Sequence, residues 1–427
     1  MFLDTVLARN PRLVACATEL HRSGAIGPDT YVMDLDAVAA NAALLAEEAG
    51  RLGLALWFVV KQLGRNPELI RAIARHIPRF AAIDPPEARA LYAAGARAGN
   101  LGHLVQIPHR ALPGMLARRP EAVTVYDLAN ARAVSDAAGR LGLVQDILVR
   151  IEAAPGAGYP GQEGGVPPAG LEAFAAGVER LPGVRIAGVT AFPCLQCAPG
   201  TGRPLPTPNL PLALRAREVL AARAGAEPAD LLLSAPGATS MASLPLLARL
   251  GATHGEPGHA LTGTTPLHAV DPGQPEAPGY VYVSEVGHVL ADGRPALFGG
   301  GFYPRSGVGS ALIPRTGARL AVQHAPAEHI DYYRLLSPGD ARPGDTAVLA
   351  FRTQVFVTRS TVAVVSGLSS GAPELTGCYD PWGRPVAFPS RRAPGGGGGP
   401  GGCPNPPPHP CFFFAPPPHP HGGGGRV

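Results

Sequence analysis

Leu54-Ala55-Leu56-Trp57-Phe58-Val59-Val60-Lys61 is an unbroken apolar run that ends on a lysine. Such a run, closed by a turn through Gln62, Gly64 and Asn66-Pro67, reads as a fully buried strand that hands over to a helix. Of the 36 Lys and Arg residues in the chain, Lys61 alone is lysine. Arginine replaces lysine freely at a solvated surface, but it does not deprotonate to give a free amine. An arginine-rich composition accounts for the loss of the other lysines. Keeping one on an apolar strand points to a position that needs an amine.

Working outward, the same texture repeats. Strand candidates are Tyr31–Leu35, Ala55–Val60, Phe80–Ile83, Leu101–Gln106, Ala122–Tyr126, Gln145–Ile151, Val184–Ala191, Leu231–Ser234 and Ala252–Glu256. Helical periodicity lies between them, at 37–52, 68–75, 86–94, 128–141, 171–180 and 212–224. Alternating strands and helices with short connections predict a parallel sheet. With the first strand set aside eight remain, the number a (β/α)8 TIM-like barrel requires. An open doubly wound sheet is the competing arrangement.

Past the Pro/Gly-rich stretch Asp271–Gly279 the pattern turns to β-branched and aromatic runs: 280–290, 295–298, 320–323, 346–357 and 361–365. Asp292-Gly293, Pro338-Gly339-Asp340 and Pro343-Gly344-Asp345 punctuate them as turns. The predicted fold class is therefore α/β: a barrel over 30–270 followed by an all-β C-terminal domain over 275–389. A helical extension precedes them over 1–29. Residues 391–427 are Gly-, Pro- and His-rich and bury too little apolar surface to fold, so disorder is expected there.

At 427 residues, 46% hydrophobic and 16% charged, the chain suits two globular domains. A net charge of +4 without a basic run gives no reason to expect nucleic acid or membrane partners. No apolar run approaches the ~18 residues of a membrane span, and no signal peptide is read at the N-terminus, so a cytoplasmic protein is expected. The six cysteines are too dispersed for a disulfide framework. Cys194-x-x-Cys197 lacks a second pair to complete a zinc site and lies in an expected loop. No metal site is predicted.

In a barrel, Lys61 falls at the C-terminal mouth, where catalytic groups project. Partial desolvation there lowers an amine's pKa and frees it for Schiff-base chemistry. Two further segments reach the same mouth: Ser234-Ala235-Pro236-Gly237-Ala238-Thr239-Ser240 and Glu256-Pro257-Gly258-His259-Ala260-Leu261-Thr262-Gly263. Small residues, hydroxyls and exposed backbone N–H groups suit a phosphate, and the last two loops of such a barrel are its usual phosphate site.

These stretches, with Tyr31-Val32-Met33-Asp34-Leu35-Asp36 before them and a β domain after, resemble the pyridoxal 5'-phosphate (PLP) dependent fold-type III enzymes of the alanine racemase superfamily. The resemblance spans residues 28 to 389. It is closest to the YhfX-type branch, through Tyr282-Val283-Ser284-Glu285, Gly299-Gly300-Gly301-Phe302-Tyr303 and Phe351-Arg352-Thr353-Gln354. It implies that the first strand joins the β domain and that Lys61 holds PLP. Gly237, Thr239, Ser240, Gly258 and His259 would then surround the phosphate, and Glu256 would face the pyridine nitrogen where alanine racemases carry arginine. A carboxylate there favours a protonated ring and a stronger electron sink. The Asp-Thr-Gly-Met-Gly-Arg stretch of alanine racemases is replaced by Glu152-Ala153-Ala154-Pro155-Gly156. A histidine expected near the seventh strand is missing, with Phe192 close by, so alanine is not the expected substrate.

The reaction expected first is racemisation or epimerisation of an amino acid through a Cα carbanion, with Lys61 serving one face. Relatives bring a tyrosine from the partner subunit of a homodimer to the other. Tyr303 is the first candidate here and Tyr379 the second, while Arg352 is the candidate for the substrate carboxylate. A PLP-dependent decarboxylase or an aldolase/lyase is the alternative that Glu256 makes credible, although Cys378 and Asp380 do not reproduce the decarboxylases' Cys-x-x-x-Asp spacing. A non-catalytic PLP carrier is the third reading, which the second domain argues against. Truncation after Ser390 is expected to leave PLP binding intact, as measured by absorption titration; loss of binding would contradict the reading of the tail.

Overall fold

Pro11 at a first helical position and Asn10, whose side chain accepts the Leu13 amide at 3.3 Å, define the break between the first two helices, α1 (Phe2–Arg9) and α2 (Pro11–Arg22). The computed structural model describes residues 2–387 except 306 and 327. The segment read as an unfolded tail, with Cys403 and Cys411, lies outside the described residues.

Strand β1 (Thr30–Asp34) follows, and Asp34 both ends it and caps α3 (Leu35–Arg51) by accepting the Ala37 amide at 3.1 Å. Seven strand–helix steps come next: β2 (Ala55–Leu56), α4 (Pro67–Ala74), β3 (Arg79–Ala81), α5 (Pro85–Ala93), β4 (Arg97–Leu101), α6 (Leu112–Leu116), β5 (Ala122–Val125), α7 (Leu128–Arg140), β6 (Gln145–Arg150), α8 (Leu171–Val178) and β7 (Val184–Thr190) lead through a short hairpin of β8 (Leu195–Cys197) and β9 (Pro204–Pro206) to α9 (Asn209–Ala224), β10 (Leu232–Ser234), α10 (Leu244–Arg249) and β11 (His254–Gly255). The eight parallel strands run in the order β2-β11-β10-β7-β6-β5-β4-β3. Phe58, just beyond β2, bridges Phe80 of β3: its amide donates to the Arg79 carbonyl and its carbonyl accepts the Ala81 amide, both at 3.0 Å, which brings the ring together. The result is the TIM-like barrel expected, not an open sheet.

Inside the barrel Trp57 is fully buried with Ala81, Ala122 and Leu148. Its indole lies against β4 so closely that a Cβ on Gly99 would come within 2.1 Å of it. This corrects the expected strand Leu101–Gln106. The strand is Arg97–Leu101, disguised by Gly99 and by Asn100, which accepts a 2.8 Å hydrogen bond from the Thr124 hydroxyl. Gly102, at φ +81°, then turns the chain out of the barrel.

The second sheet contains β12 (Tyr280–Val289), β13 (Pro295–Phe298), β14 (Ser310–Ile313), β15 (Ala318–Ala321), β16 (Tyr333–Leu335), β17 (Thr346–Leu349), β18 (Thr361–Ser366) and β19 (Glu374–Tyr379). Its main path is β15-β14-β17-β12-β1-β18-β19, with β13 and β16 branching from β12. Strand β1 thus lies in the interior of a sheet whose other members come from the last third of the chain. It runs antiparallel to β12 and parallel to β18. Its alternation places Val32 with Val281, Val283, Val348 and Val365 under α1 and α2, and Tyr31 and Met33 in the larger core on the other face. The Tyr31 hydroxyl donates to the Gly301 carbonyl at 2.5 Å, so the aromatic cluster buries no unpaired phenol.

Other expectations shift for physical reasons. Residues 346–357 do not form one strand: β17 stops at Leu349, and Val355–Val357 is a 3-10 turn whose Phe356 amide donates to the Lys61 carbonyl at 3.2 Å. Strands β14, β16 and β19 carry few β-branched residues and were not expected. The 271–279 connection is tied down: Glu276, fully buried, accepts the Met241 amide at 2.9 Å and faces His268 at 3.4 Å.

Replacing Val32 by Ala is expected to cost about 2 kcal/mol, because it opens a hole between the sheet and α2. Thermal unfolding should report a lower midpoint for Val32→Ala and none for Val144→Ala, whose side chain is 63% exposed.

Candidate active site

Every barrel strand ends at one mouth, where a cavity of about 470 Å³ opens. Lys61 enters it beyond β2, His103 beyond β4, Tyr159 and Gln162 beyond β6, and Phe192 beyond β7. Gly237, Ala238 and Thr239 follow β10, and Glu256, Gly258 and His259 follow β11. Arg305, Arg352 and Gln354 of the β domain form the roof. The Arg305 amide donates to the Arg352 carbonyl at 2.6 Å, which joins the two segments that carry the roof.

Burial lowers the Lys61 ammonium below its usual range; Glu87 and Glu256 oppose this, and Arg352 and Arg305 add to it. The direction of the shift favours the free amine at the cavity. Burial also raises the Glu256 carboxyl to about 7, against a hydrogen bond from Ser234 (3.2 Å) and the positive charges of Lys61 and Arg150. Glu87, fully buried and within reach of the Lys61 charge, is raised to about 7 by the same cause. Sequence reading missed Glu87, because an acid in the first turn of a helix looks like ordinary dipole compensation.

The two loops after β10 and β11 form a backbone cradle. Gly237 has φ +110°, and a Cβ there would come within 2.4 Å of the Leu195 carbonyl oxygen. A Cβ on Gly258 would come within 2.8 Å of the Gln62 amide. The amides of Gly237, Ala238 and Thr239 donate no hydrogen bond among the described residues. His259 holds Thr264 through Nδ1 at 3.3 Å and leaves Nε2 unpartnered. Unpaired donors held in a Gly-rich turn suit an anion with several oxygens. Thr239 also positions the acid, since its hydroxyl accepts the Glu256 amide at 3.0 Å. Ser240 lies behind the cradle, its amide donating to the Ser243 hydroxyl at 2.8 Å.

Lys61, Glu256, Gly237, Thr239, Gly258, His259 and Arg352 thus meet around one cavity. The two tyrosines do not line this chain's own cavity. Tyr303 is 40% exposed, with its hydroxyl accepting from Arg305 at 3.4 Å, and the Tyr379 hydroxyl donates to Glu68. The Cys194–Cys197 segment is a wall of the cavity, not the free loop expected, because Leu195–Cys197 pairs with Pro204–Pro206. Both thiols are free. Among the described residues no group of three or more His, Cys, Asp or Glu is placed to hold a metal ion.

Comparison with known proteins matches the family described as "Alanine racemase, N-terminal domain" to residues 33–266 and "YhfX-like, C-terminal domain" to residues 281–375. The "Uncharacterized protein YhfX" of Escherichia coli (strain K12) is 39% identical over 388 residues, which is 90% of this chain and 99% of that protein. Among solved structures, D-threonine aldolase from Filomicrobium marinum is similar at a TM-score of 0.61 and 17% identity, over 83% of this chain and 94% of that one. The alanine racemase of Corynebacterium glutamicum is similar at 0.54 and 20% identity, over 75% and 88%. D-threo-3-hydroxyaspartate dehydratase from Delftia sp. HT23 is similar at 0.58 and 17% identity, over 81% and 95%. At these identities the structural likeness establishes the fold alone.

The buried carboxyl sets a pH dependence in the protein without ligands. Glu256 holds its proton more tightly when folded, so its contribution makes stability fall as pH rises from about 4.5 to about 7. Glu256→Gln should match the parent at the acid end and unfold at a higher temperature above pH 7, as read from thermal melts across that range.

Proposed function

The chain belongs to the alanine racemase N-terminal-domain family, with a YhfX-like C-terminal domain, and on that premise we propose that it is a PLP-dependent enzyme acting at the Cα of an amino acid, most simply as a racemase or epimerase. One observation carries the reading: the chain's single lysine, its ammonium destabilised by burial, shares a cavity with Glu256 and the unpaired amides of Gly237–Thr239. When bound, the cofactor supplies an aldehyde that captures amines and an electron-deficient ring that accepts the electron pair released at Cα.

The residues fit such a group by their chemistry. Lys61 is the amine for the aldehyde, Glu256 the anion for a protonated ring nitrogen, and Gly237, Ala238, Thr239, Gly258 and His259 the donors for a phosphate. Arg352 offers its guanidinium fork to a substrate carboxylate. Lys61 would also move a proton to or from Cα on one face. The roof residues Arg305, Arg352 and Gln354 limit water at the mouth, which strengthens every charge interaction below them. A mere carrier of the cofactor has no use for such a roof.

A homodimer is the assembly this reading favours, in which Tyr303 or Tyr379 of one copy is the alternative source of the proton on the other face. Decarboxylation or aldol cleavage begins at the same carbon, and the carboxyl at position 256 keeps both open as the second reading.

PLP added to the parent should give a protein-bound visible absorption band that borohydride discharges, and Lys61→Ala should lack it while unfolding at a similar temperature. Amino acids that perturb the band should exchange their Cα proton with deuterium from solvent without releasing CO2 or aldehyde. Release of either would move the assignment to the second reading, and absence of the band in folded parent would refute both.

A further inference from the structure

His103 is a polar side chain that nothing among the described residues satisfies. It is 3% exposed, lines the cavity beyond β4, and has no hydrogen-bond partner at either Nδ1 or Nε2. A buried imidazole costs free energy unless its donor and acceptor are both met, so an unmet imidazole in the cavity wall points to a ligand that meets it. The backbone around it is firmly held. Its carbonyl oxygen accepts from Arg150 Nη1 at 2.8 Å and from the Tyr126 hydroxyl at 2.6 Å. The Phe192 ring packs edge-on against the imidazole at 5.5 Å between centroids.

Resting on the PLP reading, we propose that His103 is the second proton-carrying residue of the active site, working with Lys61 within one chain. Three observations support this over the tyrosines. Neither Tyr303 nor Tyr379 lines this chain's cavity, so neither completes a pair drawn from one chain. Tyr159 does line the cavity but is 40% exposed, so solvent can satisfy it without a ligand. Burial, with Arg150 and Lys61 adding to it, holds His103 neutral, so one nitrogen carries a lone pair and the other a proton.

The proton bookkeeping closes within the pair. In one direction neutral His103 takes the Cα proton and becomes imidazolium, and the C–H electron pair stays with the bound substrate. The Lys61 ammonium then returns a proton to Cα and becomes the amine. The opposite enantiomer runs the exchange in reverse, and no other reactant is consumed.

The test uses the full chain loaded with PLP and labelled with 15N at its histidine imidazoles, His103 being assigned by the signals that His103→Gln loses. PLP loading should move the His103 nitrogens. Across a panel of L- and D-amino acids, His103→Gln should cut Cα deuterium exchange at least ~100-fold while keeping the PLP absorption band. If glutamine there prevents folding, His103→Phe keeps the edge contact with Phe192 and serves in its place. Unmoved His103 signals, exchange at the parent's rate in the variant, or a PLP-loaded parent that exchanges no amino acid would each overturn the proposal. Loss of the PLP band in the parent itself is a different failure, since it defeats the cofactor reading on which the proposal rests.

Discussion

The insertion of Thr30–Asp34 between Tyr280–Val289 and Thr361–Ser366 is the pairing on which the rest of this protein depends. A strand from the start of the chain is fully buried within a sheet made from its end, so the barrel enters and leaves through the same β structure. Asp34 finishes that strand and caps the first barrel helix, which leaves little freedom between the two parts. The Phe356–Lys61 backbone hydrogen bond continues the restraint to the barrel mouth. The roof arginines consequently belong to segments fixed by the sheet, and the cavity beneath them is enclosed by design of the topology.

Enclosure sets the electrostatics of the site. Desolvation lowers Lys61, raises Glu256 and Glu87, and keeps His103 and His259 neutral. One physical cause thus moves amine, acids and imidazoles toward their uncharged forms. The two carboxyls, raised to about 7, are the groups poised to trade protons near neutral pH. The same burial leaves polar atoms unmet at Gln62, His103 and His259, a debt that a polar ligand is suited to settle.

Much of the architecture was legible because it rests on local rules. The run ending at Lys61, the helix after it and the late β-branched segments carry the barrel and the second sheet on pattern alone. The errors fall where tertiary contacts overrule the pattern. Gly99 and Asn100 hide a barrel strand because Trp57 and Thr124 occupy the space that apolar side chains fill elsewhere. The turn after Leu349 is set by the barrel mouth it crosses. In the site, Lys61, Glu256 and the Gly-rich loops stand out by composition and by position at strand ends. Glu87, His103 and Arg305 do not: a first-turn acid, a loop histidine and one arginine among many carry no signal until the chain is folded. Which residues lack partners is a three-dimensional property, and no spacing in the sequence encodes it.

Borohydride reduction of the PLP-treated protein, followed by mass mapping of its peptides, tests the central claim most directly. A chain with one lysine has a single side-chain amine to label, so the account predicts the reduced cofactor on the peptide containing Lys61 and at one per chain. Label confined to the α-amino group of Met1, or no label on well-folded protein, would contradict it.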